Sequence, residues 1–184
     1  MTIKTAFPPT ISPHALVQKL PAIWWQIAIA AIIYLIVSAF ILSAYPDAAP
    51  HFRLNFEPLL TAPLQIQMHV AGALTAFSIG LVLLCAPKGF GFHKSLGWSW
   101  VAAMTLTAIS SFFITGMFEN AYSPIHALSA WTLLGLPFGI AAIRRRNLKK
   151  HRDTMTGMFV GAMVIAGLFS FLPGRLMWDL FVGL

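Results

Sequence analysis

Charged residues are scarce in this chain: they make up 9% of its 184 residues, whereas an ordinary soluble domain contains roughly a quarter. Hydrophobic residues account for 58%. So few charges cannot cover the surface of a water-soluble globule, which excludes a cytosolic enzyme and a disordered chain. The composition is instead that of a protein whose surface faces lipid.

Cysteine is almost absent as well. Cys85 is the only cysteine, so no disulfide can form within the chain, and a secreted disulfide scaffold is excluded. The sequence also lacks the phosphate-binding glycine motifs, the HExxH zinc motif and the nucleophile elbow. The residues that carry the function of this chain must therefore lie outside these motifs.

Long apolar runs dominate what is present. A spanning helix needs about 20 mainly apolar residues, and five such runs occur, none with an acidic or basic residue in its interior. Prolines lie at most of their ends, where they remove no helical hydrogen bond. We expect an all-α integral membrane protein with five transmembrane helices, at about residues 22–45, 64–86, 95–117, 125–143 and 154–172.

The first run is too long for the apolar part of a signal peptide and has no obvious cleavage site, so we interpret it as a spanning helix. Residues 1–21 before it are expected to form a cytoplasmic tail. Residues 176–184 are expected to form a short interfacial tail after the four-helix core at residues 64–175.

The basic residues predict the orientation of the chain in the membrane. With the N-terminus in the cytoplasm and five spans, ten of the twelve basic residues face the cytoplasm and four of the five acids face outside. This asymmetry follows the positive-inside rule and places the C-terminus outside. The net charge of +7 is then an orientation signal facing an anionic leaflet, and nucleic acid is not an expected partner.

Four histidines are spaced as an internal repeat. His69 and His93 open the second and third spans and lie 24 residues apart, and His126 and His151 open the fourth and fifth, 25 apart. The stretches HKSLGWSWVAAM and HRDTMTGMFVGAM, which begin at the later histidine of each pair, are also similar. We interpret the helix pairs as two parallel repeats related by an axis along the membrane normal.

This symmetry pairs the histidines by depth. His69 would meet His126 near the outer face, and His93 would meet His151 near the inner face. Two imidazoles from facing helices, with no thiolate or carboxylate nearby, favour an axially ligated haem, because zinc usually takes three or four protein ligands. We expect one or two haem b groups, or otherwise a transition-metal ion.

Neighbouring residues suit a flat macrocycle. Gly72 and Gly97 each lie about one turn after a histidine on the same helix face, and Ser129 holds this position after His126. Basic side chains are available for the propionates; they are Lys94, Arg144–Arg146 and Arg152 on the inner side and Arg175 on the outer side.

A structural interpretation of these residues stays open. A histidine at a helix end often caps the helix or binds lipid phosphate, and Lys94 and the basic run around His151 place the inner pair near the interface. Arg175, just after Pro173-Gly174, could simply follow a helix stop. The outer pair is the better candidate for ligation, because His69 lies within an apolar run.

Three stretches, His93–Gly97, Ile125–Ser129 and His151–Arg175, resemble a bacterial family of predicted membrane proteins of unknown function, domain-of-unknown-function family 2306. The resemblance covers about residues 67–175 and implies the bacterial inner membrane.

The order of four histidines on four consecutive spans is also similar to the transmembrane di-haem cytochromes b that use ascorbate. In those proteins the first and third histidines share one haem and the second and fourth share the other. The resemblance implies the same pairing of His69 with His126 and of His93 with His151. This chain departs from the pattern in its shorter helix pairs and in the charged surroundings of its inner histidines.

We therefore expect a haem b-binding transmembrane electron carrier or reductase with bis-histidine ligation. The alternative is a non-enzymatic membrane subunit or small-ligand transporter whose histidines bind a metal ion, a quinone or a lipid. The expected partners are the lipid bilayer, a quinone or redox protein, and a second copy of the chain.

Overall fold

The computed structural model describes residues 20–45, 50–89, 91–114 and 124–183, which are mainly helical. A π-helical segment, Phe159–Ile165, joins the helices Leu148–Met158 and Ala166–Phe169, so that residues 148–169 form one composite helix. The helices are α1 Leu20–Ser43, α2 Glu57–Leu60, α3 Leu64–Cys85, α4 Gly91–Ser111, α5 Pro124–Arg144, α6 Leu148–Met158, α7 Ala166–Phe169 and α8 Leu176–Phe181, and the strands are β1 His51–Phe52 and β2 Val182–Gly183.

Three of the described helices are long and apolar enough to cross a membrane, over Trp24–Ser43, Leu64–Cys85 and Ile125–Arg144. The expectation of an all-α chain with membrane-spanning helices is confirmed to this extent. α4 falls outside this set because it is rich in serine and threonine. The composite helix falls outside it because the π-helical segment divides it into α-helical pieces of 11 and 4 residues.

Two helices differ in extent from the predicted spans. α4 begins at Gly91 and ends at Ser111, and the predicted end of that span at residue 117 lies outside the described residues. The composite helix begins at Leu148, earlier than residue 154, because Asn147 caps it: the side-chain oxygen accepts a hydrogen bond from the N–H of Lys150 at 2.9 Å. Residues 1–19 of the predicted cytoplasmic tail also lie outside the described part of the chain.

Four helices form a ring. α3 packs on α4, α4 on α5 and α5 on α6, and the π-helical segment closes the ring by packing on α3. α3 therefore faces α5 across the ring, and α4 faces the composite helix. α1 lies outside the ring and packs on the π-helical segment and α7.

An apolar core fills the middle of the ring. Trp100 and Met104 from α4, Leu136 from α5 and Phe159 from the π-helical segment are all buried in it. The rings of Phe77 and Phe159 stack with centroids 5.8 Å apart. Large buried side chains from α4, α5 and the π-helical segment pack together in this layer, and α3 contributes the small, fully buried Ala76.

A small sheet joins the segment after α1 to the C-terminal segment. His51 pairs with Gly183 in antiparallel register, and the N–H of Arg53 donates to the carbonyl of Phe181 at 3.0 Å. Residues 176–183 of the predicted tail form α8 and β2. We call this the sheet end of the ring, and the opposite end, which carries the Arg144–Arg146 turn, the arginine end.

The substitution Gly80→Ala should destabilise the protein, because a Cβ atom at this position would overlap the ring of Phe159 and lie 3.0 Å from Nε1 of Trp100. We expect a loss of about 1–3 kcal/mol in the free energy of unfolding, measured by denaturation in detergent micelles. Gly157→Ala is the matched control, since the space that a Cβ would occupy there has no neighbouring atom within 4 Å. An equal loss in both variants would contradict this packing.

Candidate functional site

Buried hydroxyl groups join α4 to α5 near the sheet end. Ser111 is fully buried and its hydroxyl is hydrogen-bonded to that of Ser129. Thr107 and Ser110 lie beside it on α4, and Thr132 lies one turn beyond Ser129 on α5; all are buried. We call these five residues the polar seam. Each of their hydroxyls also lies within hydrogen-bond distance of a backbone carbonyl of its own helix, so none of them is unsatisfied.

His69 on α3 is tied to this seam through its ring. Its Nδ1 lies 2.9 Å from the carbonyl oxygen of Thr107. A carbonyl oxygen only accepts hydrogen bonds, so the proton of the ring must be on Nδ1. In the neutral imidazole, Nε2 then carries a lone pair that can bind a metal centre or accept a hydrogen bond.

A cavity of about 630 Å³ lies next to His69. Its walls come from α1, the helices of the ring and α8, and its volume is in the range of about 300–1,000 Å³ that small-molecule sites occupy. The π-helical segment contributes Ala162 and Met163 to the wall; such segments are frequent at functional sites. The polar residues of the wall are His69, Thr107, Ser129, Thr132 and Ser170, and the others are apolar.

His126 lies deep in the protein, at 4% exposure, with its ring centroid 5.9 Å from that of Phe112. Its neighbours on α5, Ile125 and Ser129, line the cavity, and His126 is not among the residues that do. The structure thus brings His69 to the cavity wall without His126, and the predicted pairing of the two rings stays a prediction.

Gly72 allows a close contact between α3 and α4. A Cβ atom there would lie 2.7 Å from Oγ1 of Thr107 and 3.4 Å from the carbonyl oxygen of Ala103. The space beside Gly72, where we expected room for a macrocycle, is therefore filled by α4. The small size of this residue serves helix packing.

His151, near the arginine end, is held in the same way as His69. Its Nδ1 lies 2.9 Å from the carbonyl oxygen of Gly139 on α5, so the proton is again on Nδ1 and the lone pair of the neutral ring is on Nε2. Each of the two histidines is thus fixed by a backbone carbonyl of the neighbouring helix. Backbone carbonyls of this kind commonly orient histidines that ligate metals.

His93 lies before the predicted span at residues 95–117. Burial lowers the pKa of its imidazole, and the neighbouring groups of His151 and Lys88 lower it further. The predicted pairing of His93 with His151 stays a prediction. Nδ1 of His93 is buried without a hydrogen-bond partner among the described residues.

Gly97, one turn after His93, is open on its Cβ side. Among the described residues, no atom lies within 4 Å of the position that a Cβ would take, in contrast to the filled space beside Gly72. Basic side chains surround this end of the ring: Lys94 is exposed, and Nε of Arg152 lies 4.0 Å from Oδ1 of Asp153. The three arginines of the Arg144–Arg146 turn are exposed as well.

Arg175 lies at the sheet end, between residues that line the cavity. Its N–H donates to the carbonyl of Leu172 and its own carbonyl accepts from Asp179, which fixes the backbone where α8 begins. Phe171 and Met177 on either side of it line the cavity. The guanidinium therefore belongs to the segment that covers this end of the cavity.

The two carbonyls that orient the histidines could not be predicted, because no residue type in a sequence indicates which backbone carbonyl will accept a hydrogen bond. The serine and threonine content of α4 was the available signal for the polar seam. No cluster of three or more histidine, cysteine, aspartate or glutamate side chains suited to a metal ion occurs among the described residues.

A family model described as predicted membrane protein (DUF2306) matches residues 66–182. The chain belongs to this family. The predicted resemblance is thereby confirmed. The match runs from the first turn of α3 to the first residue of β2, so it includes nearly all of the ring and α8, whereas α1 and β1 lie outside it. The comparisons with curated proteins and with solved structures found no match.

The pKa of His93 predicts how stability depends on pH in the protein without any cofactor. Because this pKa is below the ordinary 6.5, the folded chain binds fewer protons than the unfolded chain between the two values. Stability should be fully present above about pH 6.5 and decrease as the pH falls below it. We expect His93→Gln to show a smaller decrease in Tm on acidification than the unsubstituted protein; equal decreases would contradict the assignment.

Proposed function

We propose that this protein is a five-span protein of the bacterial inner membrane that carries electrons through haem b bound by histidine. The observation that supports it is the pair of imidazoles fixed by carbonyls, His69 and His151. Both present Nε2 as the free ligand atom, at two different levels of one helical ring.

The sheet at one end of the ring supports the topology. Because β1 and β2 lie side by side, the segment after α1 and the C-terminal segment are at the same end. The four helices between them must then cross the membrane an even number of times. With α1 as a further span, this gives five crossings, and the exposed Arg144–Arg146 turn lies at the cytoplasmic end.

Cysteine labelling tests this topology. In a Cys85→Ser background, Lys88→Cys should react with a membrane-impermeant maleimide only from the cytoplasmic side, and Thr61→Cys only from the outside. Both positions lie beyond opposite ends of α3, so each is the control for the other. Labelling of both from the same side of sealed vesicles would contradict the orientation.

The residues at the arginine end fit a bis-histidine haem. The lone pair of His151 is on Nε2, and the lowered pKa of His93 keeps that ring neutral, as ligation requires. Open space at Gly97 leaves room beside His93, and Lys94 and Arg152 offer positive charge for the propionates. Haem iron held by protein ligands supplies one-electron redox chemistry.

The sheet end fits a second haem less well. His69 is oriented for ligation and faces a cavity, but Gly72 is packed against Thr107 and His126 is not on the cavity wall. We therefore assign the first haem to His93 and His151. Ligation of a second haem by His69 and His126, with Arg175 as a propionate partner, is the less supported part of the proposal.

A visible absorption spectrum tests the proposal. Protein purified from cells supplied with haem precursor should show a Soret band that sharpens, with separate α and β bands, on reduction with dithionite. His93→Ala and His151→Ala should each lose most of this absorption, whereas His51→Ala should retain it, because His51 lies in β1 at the other end. Protein that is folded and colourless in every preparation would contradict haem binding.

A further inference from the structure

The polar side chains on the cavity wall share one property: each already donates its proton in a hydrogen bond within the protein. The hydroxyl of Ser129 bonds the carbonyl of Ile125 at 3.0 Å, and that of Thr132 bonds the carbonyl of Leu128 at 2.9 Å. Thr107 and Ser170 do the same with carbonyls of their own helices, at 2.8 and 2.7 Å. A hydroxyl that donates its only proton is left with lone pairs alone.

His69 also has a lone pair but no free proton to offer a ligand. Its ring proton is on Nδ1 and goes to the carbonyl of Thr107, so the neutral ring presents a lone pair on Nε2. In these hydrogen-bonding arrangements the five polar residues named on the wall keep lone pairs and no free proton for a ligand. A ligand with a hydroxyl head can pair with them, whereas a ligand with only carbonyl oxygens would bring acceptor against acceptor.

The rest of the wall selects a lipophilic ligand. It is apolar and contains many small residues, among them Ala73, Ala108 and Ala162. α1 covers one side through Ile27 and Ala30, and its outward side chains, such as Ile29, are exposed where lipid would lie. Where lipid surrounds the chain, α1 therefore lies between this side of the cavity and the bilayer.

We propose that this cavity binds the reduced, quinol form of a membrane quinone in place of a second haem, with a ring hydroxyl donating to Nε2 of His69. The inference rests on the proposed function, because it names the class of molecule that exchanges electrons with a haem at the arginine end. The binding itself needs no haem. The polarity of the wall selects the quinol over the oxidised quinone, which has no hydroxyl on its ring.

A matched pair of ligands tests this polarity. Decylubiquinol and decylubiquinone have the same other ring substituents and the same tail, and they differ by the two hydrogen atoms that make the two ring hydroxyls of the quinol. Binding to the full chain in one detergent, under argon, is measured as the rise in Tm with ligand concentration. We expect the quinol to bind about tenfold or more tightly than the quinone, since an unpaired buried acceptor is costly. Equal binding, tighter quinone binding or no binding would overturn the proposal.

Substitutions on the cavity wall test which residues cause the preference for quinol over quinone. His69→Phe keeps an aromatic ring and removes the acceptor, so the preference for quinol should decrease to about twofold or less while some binding of both forms remains. Ser129→Ala should reduce the preference by a smaller factor and covers the case in which His69→Phe fails to fold. Ser78→Ala is the control, because that hydroxyl lies exposed on α3 outside the cavity wall. An unchanged preference in both wall variants would contradict the assignment.

His93→Ala separates this inference from the haem proposal. It should lose the Soret band and retain the preference for quinol. A wild-type protein that is colourless but prefers quinol would contradict haem binding and leave the cavity assignment standing. A coloured protein that binds neither quinol nor quinone would contradict the cavity assignment alone.

Discussion

The structure depends on satisfying polar groups inside a chain that offers almost no contact with water. In an apolar surrounding, a buried donor or acceptor without a partner costs several kcal/mol, on the order of a whole hydrogen bond or more. At five residues the chain meets this constraint by bonding side chains to backbone carbonyls: Thr107, Ser129 and Thr132 to their own helices, and His69 and His151 to a neighbouring helix. Nδ1 of His93, by contrast, is buried without a partner among the described residues. The same bonds that satisfy the protein decide which lone pairs remain for a ligand.

The two histidine levels are separated by an apolar layer. Trp100, Met104 and Phe159 fill the middle of the ring, and the phenyl ring of Phe77 stacks on that of Phe159. Close packing of this kind leaves little space for water between the two ends of the ring. Under the proposed function the quinol head lies on one side of this layer and the haem on the other, so the layer would separate the two redox groups from one another without a water-filled path.

Much of the fold could be predicted because the apolar runs are long and their ends are marked by proline. The existence of the helices and their order followed from these runs, but their limits did not. Asn147 extends the composite helix towards the arginine end through a capping hydrogen bond, and the π-helical segment interrupts this helix at Phe159. Neither feature changes the hydropathy of the chain, so hydropathy alone could not indicate them.

The sequence by itself determined the lipid-facing character of the chain, its helical runs, its charge asymmetry and the spacing of four histidines. These properties are local, because each depends on the residue types along a single segment. Only the tertiary structure decided that the ring of His69 bonds the carbonyl of Thr107, and that the space beside Gly72 is filled while the space beside Gly97 is open. It also decided that the polar residues of the cavity wall are left as hydrogen-bond acceptors. These properties depend on how neighbouring helices are rotated and packed, and in uniformly apolar helices the pattern of residues does not specify that rotation.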